Sequence, residues 1–289
     1  MHPMGSWSQR LARTQAIMSA AWQILRADPA LLIFPIMSSV CLLLLAALWA
    51  FPALMNLLMD GSARQTTPSN DVPSYVGLFV FYVVTYGAGV FFNAALASCV
   101  LRRLAGKPSS VLDGLRDALS CTVQILGWAV IAATVGTVLK ALERRSGFLG
   151  GMVVRMIGLA WSVATFLVVP ILVAERKGPV EAVEESVALL RRTWGENLLS
   201  GIGFGLLSFL WAIPGAFVLV VGAGMIPSRP VAAMVVMALA LLYFPSLWLI
   251  LSTMSTIFDV VLYRYARLGM VTPGFDRELL ESSFVKKPA

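Results

Sequence analysis

The chain has 289 residues, of which 58% are hydrophobic and 13% charged, and its mean hydropathy is +0.83. Soluble domains carry roughly 25% charged residues, so a water-soluble fold could not bury this much apolar surface. The net charge of +7 is not gathered into a basic tract with interleaved aromatic residues, which argues against a nucleic-acid partner. We therefore predict an integral membrane protein in contact with membrane lipid.

Six long apolar runs follow one another along the chain. Each has at least 18 residues, about the length that crosses ~30 Å of hydrocarbon as an α-helix. They are Leu31–Leu58, Tyr75–Leu101, Thr122–Leu139, Met152–Ala174, Leu198–Ile226 and Val231–Tyr263. The first run is too long for a signal-peptide core, so we expect a retained anchor. The predicted fold is all-α, with six transmembrane helices in a single membrane domain, residues 1–289.

Lys and Arg residues are distributed unevenly between the runs. Sixteen of the 22 lie in the N-terminal segment, the second and fourth loops and the C-terminal segment. Cytoplasmic loops carry the excess of positive charge. We therefore expect both termini to face the cytoplasm.

An amphipathic segment precedes each pair of runs, which indicates a threefold internal repeat over residues 5–106, 107–177 and 178–269, with 270–289 as a cytoplasmic tail. The segments are Gly5–Asp28, Pro108–Ser120 and Pro179–Trp194. The second opens with Ser110 and Asp113, a capping pattern. The similar helix ends also have an explanation without duplication, because any helix that leaves a membrane tends to end in Lys or Arg followed by Gly or Pro.

The third amphipathic segment has the clearest helical period. It carries an apolar stripe, of which we expect Val183, Val187 and Leu190 to face the bundle or lipid, and three glutamates that we expect to face water. The stripe and the glutamates are Val180, Val183, Val187, Leu190 and Trp194, and Glu181, Glu184 and Glu185.

Catalytic and metal-binding patterns are missing from the sequence. His2 is the only histidine, the three cysteines have no CxxC spacing, and neither HExxH nor GxSxG occurs. We expect a protein that is not an enzyme and has no catalytic residue, metal or cofactor.

Small residues and prolines in the last two runs have structural explanations. The glycines near residue 201 lie in a predicted span with no preceding strand, so helix packing explains them better than a phosphate loop. Two prolines deep in these runs predict bends, since each removes a backbone hydrogen bond. The predicted packing residues are Gly201, Gly205, Ala212 and Ala216, and the predicted kinks are Pro214 and Pro245.

Asp259 and Asn93 are the most polar candidates inside the runs. A charge near the middle of a bilayer costs at least ~2.5–3.5 kcal/mol, so such residues are often functional. Asp259 lies five residues before Arg264, which leaves structural pairing and a ligand or proton role both open. For Asn93 the alternatives are an interhelical hydrogen bond and a ligand role.

The loop between the third and fourth runs is basic, against the charge trend of the topology. A basic pocket there could bind an anionic lipid head group or solute. Alternatively, the cations anchor the hairpin by reaching outward while its one acid pairs locally. The residues are Lys140, Glu143, Arg144, Arg145 and Arg155.

Four segments carry a resemblance that covers nearly the whole chain. They are Phe91–Leu96, Leu139–Gly147, Gly178–Leu190, and Leu262–Ala266 with Pro273–Asp276. Together they resemble a family of uncharacterised bacterial inner-membrane proteins known only as a domain of unknown function. The repeated unit is also similar to the membrane domain of some glycerophosphodiester phosphodiesterases, but the chain lacks their soluble catalytic part. Asp259 departs from the neutral residue expected there, and the resemblance implies fold and location but no catalytic residue.

Two function hypotheses remain. The first is a non-enzymatic protein that binds membrane lipid or a hydrophobic partner, including a second copy, and organises the bilayer or an assembly. The second is a small-solute transporter or channel that uses Asp259, Asn93 and the proline-bent helices.

Overall fold

The structure is a computed structural model that describes residues 5–60, 72–194, 204–272, 274, 275 and 280. Every regular element in this part of the chain is helical, which confirms the all-α prediction there. A 3₁₀ turn, Pro29–Leu32, joins the first two α-helices. The α-helices are α1 Gly5–Ala27, α2 Ile33–Asp60, α3 Val72–Leu104, α4 Val111–Ser120, α5 Thr122–Arg145, α6 Phe148–Ala164, α7 Val168–Glu175, α8 Pro179–Trp194, α9 Phe204–Met225 and α10 Pro230–Leu268.

Five helical stretches are long and apolar enough to cross a membrane. They are Pro29–Pro52, Val76–Leu104, Thr122–Arg145, Gly150–Glu175 and Pro230–Leu268. The predicted run Leu198–Ile226 begins outside the described residues, and the apolar part described in α9, Trp211–Met225, is shorter. Five spans are therefore supported by length and composition, and the sixth stays a prediction.

The chain packs as two compact units. One contains residues 33–189, and the other contains residues 1–32 together with 190–289. The predicted repeat boundaries after residues 106 and 177 both fall inside the first unit, so the packing units are not the predicted repeats. The order of an amphipathic helix before long apolar helices is present, while the threefold duplication stays a prediction.

In the unit of residues 33–189, burial is concentrated at one end of each long helix. Residues 94–100 of α3 are buried, as is nearly all of residues 168–173 of α7. By contrast, Leu43, Leu44 and Leu48 of α2 are 66–72% exposed. Lipid tails are as apolar as leucine, so this exposed surface suits a helix that faces a bilayer.

Helix α10 has the same contrast along its own length. Most residues from Thr253 to Tyr265 are buried, whereas Val231, Leu241 and Leu242 are 68–71% exposed. Its 39 residues make a helix about 58 Å long, well beyond the ~30 Å of the hydrocarbon layer. The helix is therefore longer than one crossing requires, and the structure buries much of its C-terminal part in protein.

The fourth span is broken between α6 and α7, where a single helix was expected. A turn at residues 165–167 separates them, three residues before Pro170. Pro170 has no backbone N–H and cannot continue an α-helical ladder from the preceding turn. The Leu167 backbone N–H instead donates to the Ser186 hydroxyl of α8 at 3.3 Å.

The two described amphipathic helices of this unit differ in how well the sequence predicts them. The capping pattern is confirmed, because Ser110 accepts from the Asp113 backbone and Asp113 accepts from the Ser110 backbone. In α8 the buried face is centred on Ala182, Ser186 and Leu189 rather than on the valine stripe. Hydrogen bonding and small side chains, which a hydrophobic period does not register, decide this face.

The remaining expectations for α8 hold in part. Glu181 and Glu184 are exposed and Leu190 is buried, as predicted. Val183 and Val187 are half-buried, while Val180 is 59% exposed.

Candidate functional site

The hairpin between α5 and α6 carries the predicted basic site. Arg155 Nε donates to Glu143 Oε1 at 3.0 Å, so the single acid pairs locally. Lys140, Arg144 and Arg145 are exposed, and within the described residues none of them forms a salt bridge. Three cations at the C-terminal end of α5 are thus left for another anion, at the helix end that favours positive charge.

Asp259 of α10 is the second predicted site. Its Oδ1 atom is buried and has no hydrogen-bond partner in the part of the chain that the structure describes. Pairing with Arg264, one of the two alternatives for this residue, does not satisfy Oδ1.

A polar stripe surrounds Asp259 along α10. Ser252, Thr256, Asp259 and Tyr263 are spaced by four, three and four residues and share one helix face. The Ser252 and Thr256 hydroxyls donate to their own helix, to Leu249 O and Ser252 O, both at 3.1 Å. Because these hydroxyl hydrogens are directed into the helix, the face is rich in oxygen acceptors.

Asn93 belongs to the other unit. It is half-buried at the start of the packed stretch of α3 and has interaction partners. Asn93 and Asp259 were predicted to serve one ligand, but they lie in different units. Neither unit by itself brings them together.

A charged junction between α3 and α4 was missed by the sequence interpretation. Asp117 accepts from Arg102 Nε at 2.8 Å and Nη2 at 3.0 Å, and also from the Ser98 hydroxyl. The hydrogen bonds from Arg102 hold the pKa of Asp117 below its ordinary value. One signal could have revealed this ion pair. It is an acid one turn after Asp113, on a helix that follows the basic end of another helix.

The same junction depends on a glycine. A Cβ atom on Gly114 would lie 2.6 Å from Cys99 Sγ, 2.7 Å from Ala95 O and 2.9 Å from Phe34 Cζ. Helix α4 therefore lies against the backbone of α3 at a distance that only glycine permits. The α3–α4 junction is a rigid corner of this unit.

Lys177 links the end of α7 to α8. Its Nζ donates to Glu175 and to Glu185, both at 2.9 Å. These hydrogen bonds raise the pKa of Lys177 above its ordinary value. Glu185, which was expected to face water, is therefore half-buried in an ion pair.

The prolines of α9 and α10 lie inside continuous helices. The Tyr243 hydroxyl, two residues before Pro245, donates to Trp211 O at 2.6 Å, three residues before Pro214. A Cβ on Gly215 would lie 2.5 Å from the Tyr243 ring. The two proline-containing segments therefore contact each other, and Gly215 makes room for this contact.

Within the described residues, the contact of α9 with α10 includes two glycines that the sequence interpretation did not single out. A Cβ on Gly222 would lie 3.1 Å from Met237 and Val236, so Gly222 joins Gly215 at this contact. Ala216 is exposed and Ala212 is half-buried. Gly205 lies at the start of α9, and Gly201 lies outside the described residues.

Comparison with known families shows the family to which the chain belongs. A family model described as a family of unknown function matches residues 72–273, from the start of α3 to beyond the end of α10. The chain belongs to the DUF6159 family. No curated protein and no solved structure matches it.

The DUF6159 match includes all the sites described above. Because the family has no known function, membership supplies no substrate and no catalytic residue. Among the described residues of this DUF6159 chain, no group of three His, Cys, Asp or Glu residues could hold a metal ion. The site must therefore be interpreted from its own geometry.

Proposed function

We propose that this DUF6159 chain is a non-enzymatic, multi-pass protein of the bacterial inner membrane that binds anionic lipid and organises the membrane or an assembly in it. The supporting observation is the set of three exposed cations at the α5–α6 hairpin, which form no salt bridge within the described residues. A lipid phosphate supplies the anion that the protein does not.

The surroundings of these cations suit a lipid better than a soluble anion. Val138 and Leu142 of α5 are about half exposed beside them. Met152, Val153 and Met156 of α6 are 57–61% exposed on either side of Arg155. One lipid molecule satisfies both parts of this surface, its head group at the cations and its acyl chains along the apolar side chains. A partner protein or a second copy of the chain would have to offer the same combination.

Lipid binding is tested by removing the three charges together. We expect Lys140→Gln/Arg144→Gln/Arg145→Gln to lose most of its preference for phosphatidylglycerol over phosphatidylcholine, measured by native mass spectrometry after exchange in nanodiscs. The matched control is Lys107→Gln/Arg191→Gln/Arg192→Gln, which removes the same charge from three other exposed positions. An equal loss in the two variants would contradict the hairpin site.

The proposed orientation places both termini in the cytoplasm and the α5–α6 hairpin on the opposite face. Its support is the distribution of Lys and Arg along the chain. Reporter fusions at the two ends should report the same compartment, and a fusion at Gly147 should report the other. Termini on opposite faces would overturn this topology.

A second candidate is transport of a small solute along α10. The observation that favours it is the buried and unpartnered Asp259 Oδ1 in a stripe of polar side chains. Flux into liposomes that contain the purified chain tests it, with Asp259→Asn as the variant. Unaltered flux in that variant would remove Asp259 from the mechanism.

A further inference from the structure

Asp259 needs a partner that the described protein does not provide. Oδ1 is buried, and no donor from the described residues reaches it. Burial of a carboxylate oxygen without a hydrogen bond or an opposite charge is costly. Either the oxygen is left with this cost or a ligand from outside the chain removes it.

Asp259 as a whole is half-buried, while its Oδ1 atom is fully buried. The residues on both sides of Asp259 are buried, with Phe258 6% and Val260 0% exposed. Phe275 packs on Phe258 with ring centroids 6.4 Å apart, so Phe275 covers the Phe258 side of α10. A ligand at Oδ1 would therefore leave bulk water behind, which favours a small species.

The neighbouring hydroxyl groups indicate the charge of the ligand. On the face of Asp259, the Thr256 and Ser252 hydroxyls donate to Ser252 O and Leu249 O, both at 3.1 Å. Their hydrogens are used within the helix, and this face therefore presents oxygen atoms beside a carboxylate. Such a surface attracts positive charge or hydrogen-bond donors and repels anions.

We infer that Asp259 binds a small monovalent cation, either an alkali metal ion or a primary ammonium group, on the polar face of α10. A single carboxylate matches one positive charge. Divalent sites gather several carboxylates, and the described residues contain no such group. The inference extends the transport candidate in one respect: it names the class of ion that Asp259 would carry.

Thermal unfolding of the full chain in detergent tests the cation site without any need for flux. Wild type is compared in NaCl, KCl and methylammonium chloride against N-methyl-D-glucamine chloride at the same ionic strength. Binding to the folded state should raise Tm by roughly 2–6 °C for at least one small cation. Asp259→Asn should lose this shift, and Glu184→Gln, which neutralises an exposed acid on α8, should retain it.

Three results would overturn the inference. The first is no Tm shift with any of the three cations, and the second is an equal Tm shift in Asp259→Asn. The third is a Tm difference between Asp259→Asn and wild type that depends on pH but on none of the cations, since a proton would then occupy the oxygen. If Asp259→Asn fails to fold, infrared difference spectra of the wild type with labelled aspartate decide the question. The carboxylate stretch should move on addition of the cation, and an unmoved band would contradict the site.

The binding and transport experiments fail separately. A Tm shift without flux in liposomes would support the cation site and reject transport. Flux without a Tm shift or an infrared change would support transport and reject the cation site.

Discussion

The two halves of α10 have similar helical geometry but very different surroundings. The half that begins at Pro230 exposes large apolar side chains, whereas most residues from Thr253 to Tyr265 are buried. In the other unit, α3 shows the same difference between residues 76–84 and residues 94–100. In both helices the exposed stretch is the more apolar of the two, so high hydropathy marks the surface that protein does not cover. Small and hydroxyl side chains mark the packed halves.

The largest effect should come from a leucine in a packed half. Leu172 of α7 is 0% exposed, and Leu172→Ala should lower the free energy of unfolding by about 2–5 kcal/mol through lost contacts and a cavity. Leu48 of α2 is 72% exposed, and Leu48→Ala should change it by less than about 0.5 kcal/mol. Unfolding in mixed micelles, followed by tryptophan fluorescence, measures both. Similar losses would contradict the distinction between the two kinds of surface.

The second-largest effect on stability should come from the glycine at the α3–α4 corner. Gly114→Ala forces a Cβ into the backbone of α3 and should cost about 1–3 kcal/mol. Gly89→Ala on α3, where a Cβ meets nothing within 4 Å, is the control and should be neutral or slightly stabilising. The same unfolding assay applies, and a neutral Gly114→Ala would mean that α4 lies farther from α3.

The ion pair at that corner should have a smaller effect that depends on pH. The pKa of Asp117 is lower in the folded chain than its ordinary value of 3.8. Its contribution to stability is therefore present above that value and is lost as the pH falls through the lowered pKa. Asp117→Asn should cost about 1–2 kcal/mol near neutral pH and progressively less below about pH 4.

A surface pair serves as the comparison. Arg155 and Glu143 also form an ion pair, but their side chains are 78% and 44% exposed, against 37% and 24% for Arg102 and Asp117. Glu143→Gln should therefore cost about 0–1 kcal/mol. Equal effects of the two carboxylate variants, or no pH dependence for Asp117, would contradict the role of the corner.

Among the buried contacts, the smallest loss of stability is expected at the interruption of the fourth span. Ser186→Ala removes the acceptor for the Leu167 N–H and should cost about 1 kcal/mol. Ser162→Ala is the control, since the Ser162 hydroxyl is exposed and only bonds Gly158 O within its own helix. A wild-type unfolding profile for Ser186→Ala would show that another acceptor replaces the hydroxyl.

Much of the fold could be predicted because membrane insertion leaves strong sequence signals. Long apolar runs located five spanning helices, and Ser110 with Asp113 located the start of α4. The break at residues 165–167 could not be predicted from Pro170 alone, because Pro214 and Pro245 lie in helices that continue. The difference is the Ser186 hydroxyl, which reaches the broken turn from a helix elsewhere in the chain.

The candidate sites were predictable as residues but not as surroundings. The basic hairpin and Asp259 stand out by charge alone. Sequence spacing does not reveal side-chain geometry. Among the described residues, this geometry pairs Glu143 with Arg155 and leaves Asp259 Oδ1 unsatisfied by Arg264. The contact of Gly215 with Tyr243 was missed, because spacing does not reveal which side of α9 meets α10.

Through the Ser186 hydroxyl, the amphipathic helix α8 is hydrogen-bonded to the interior of the fourth span. A pull or tilt of α8, imposed by whatever docks on its exposed glutamates, is transmitted through one hydrogen bond to the point where the fourth span is already divided. A displacement of α8 would thus reach residues 150–175 at the turn that interrupts their helix.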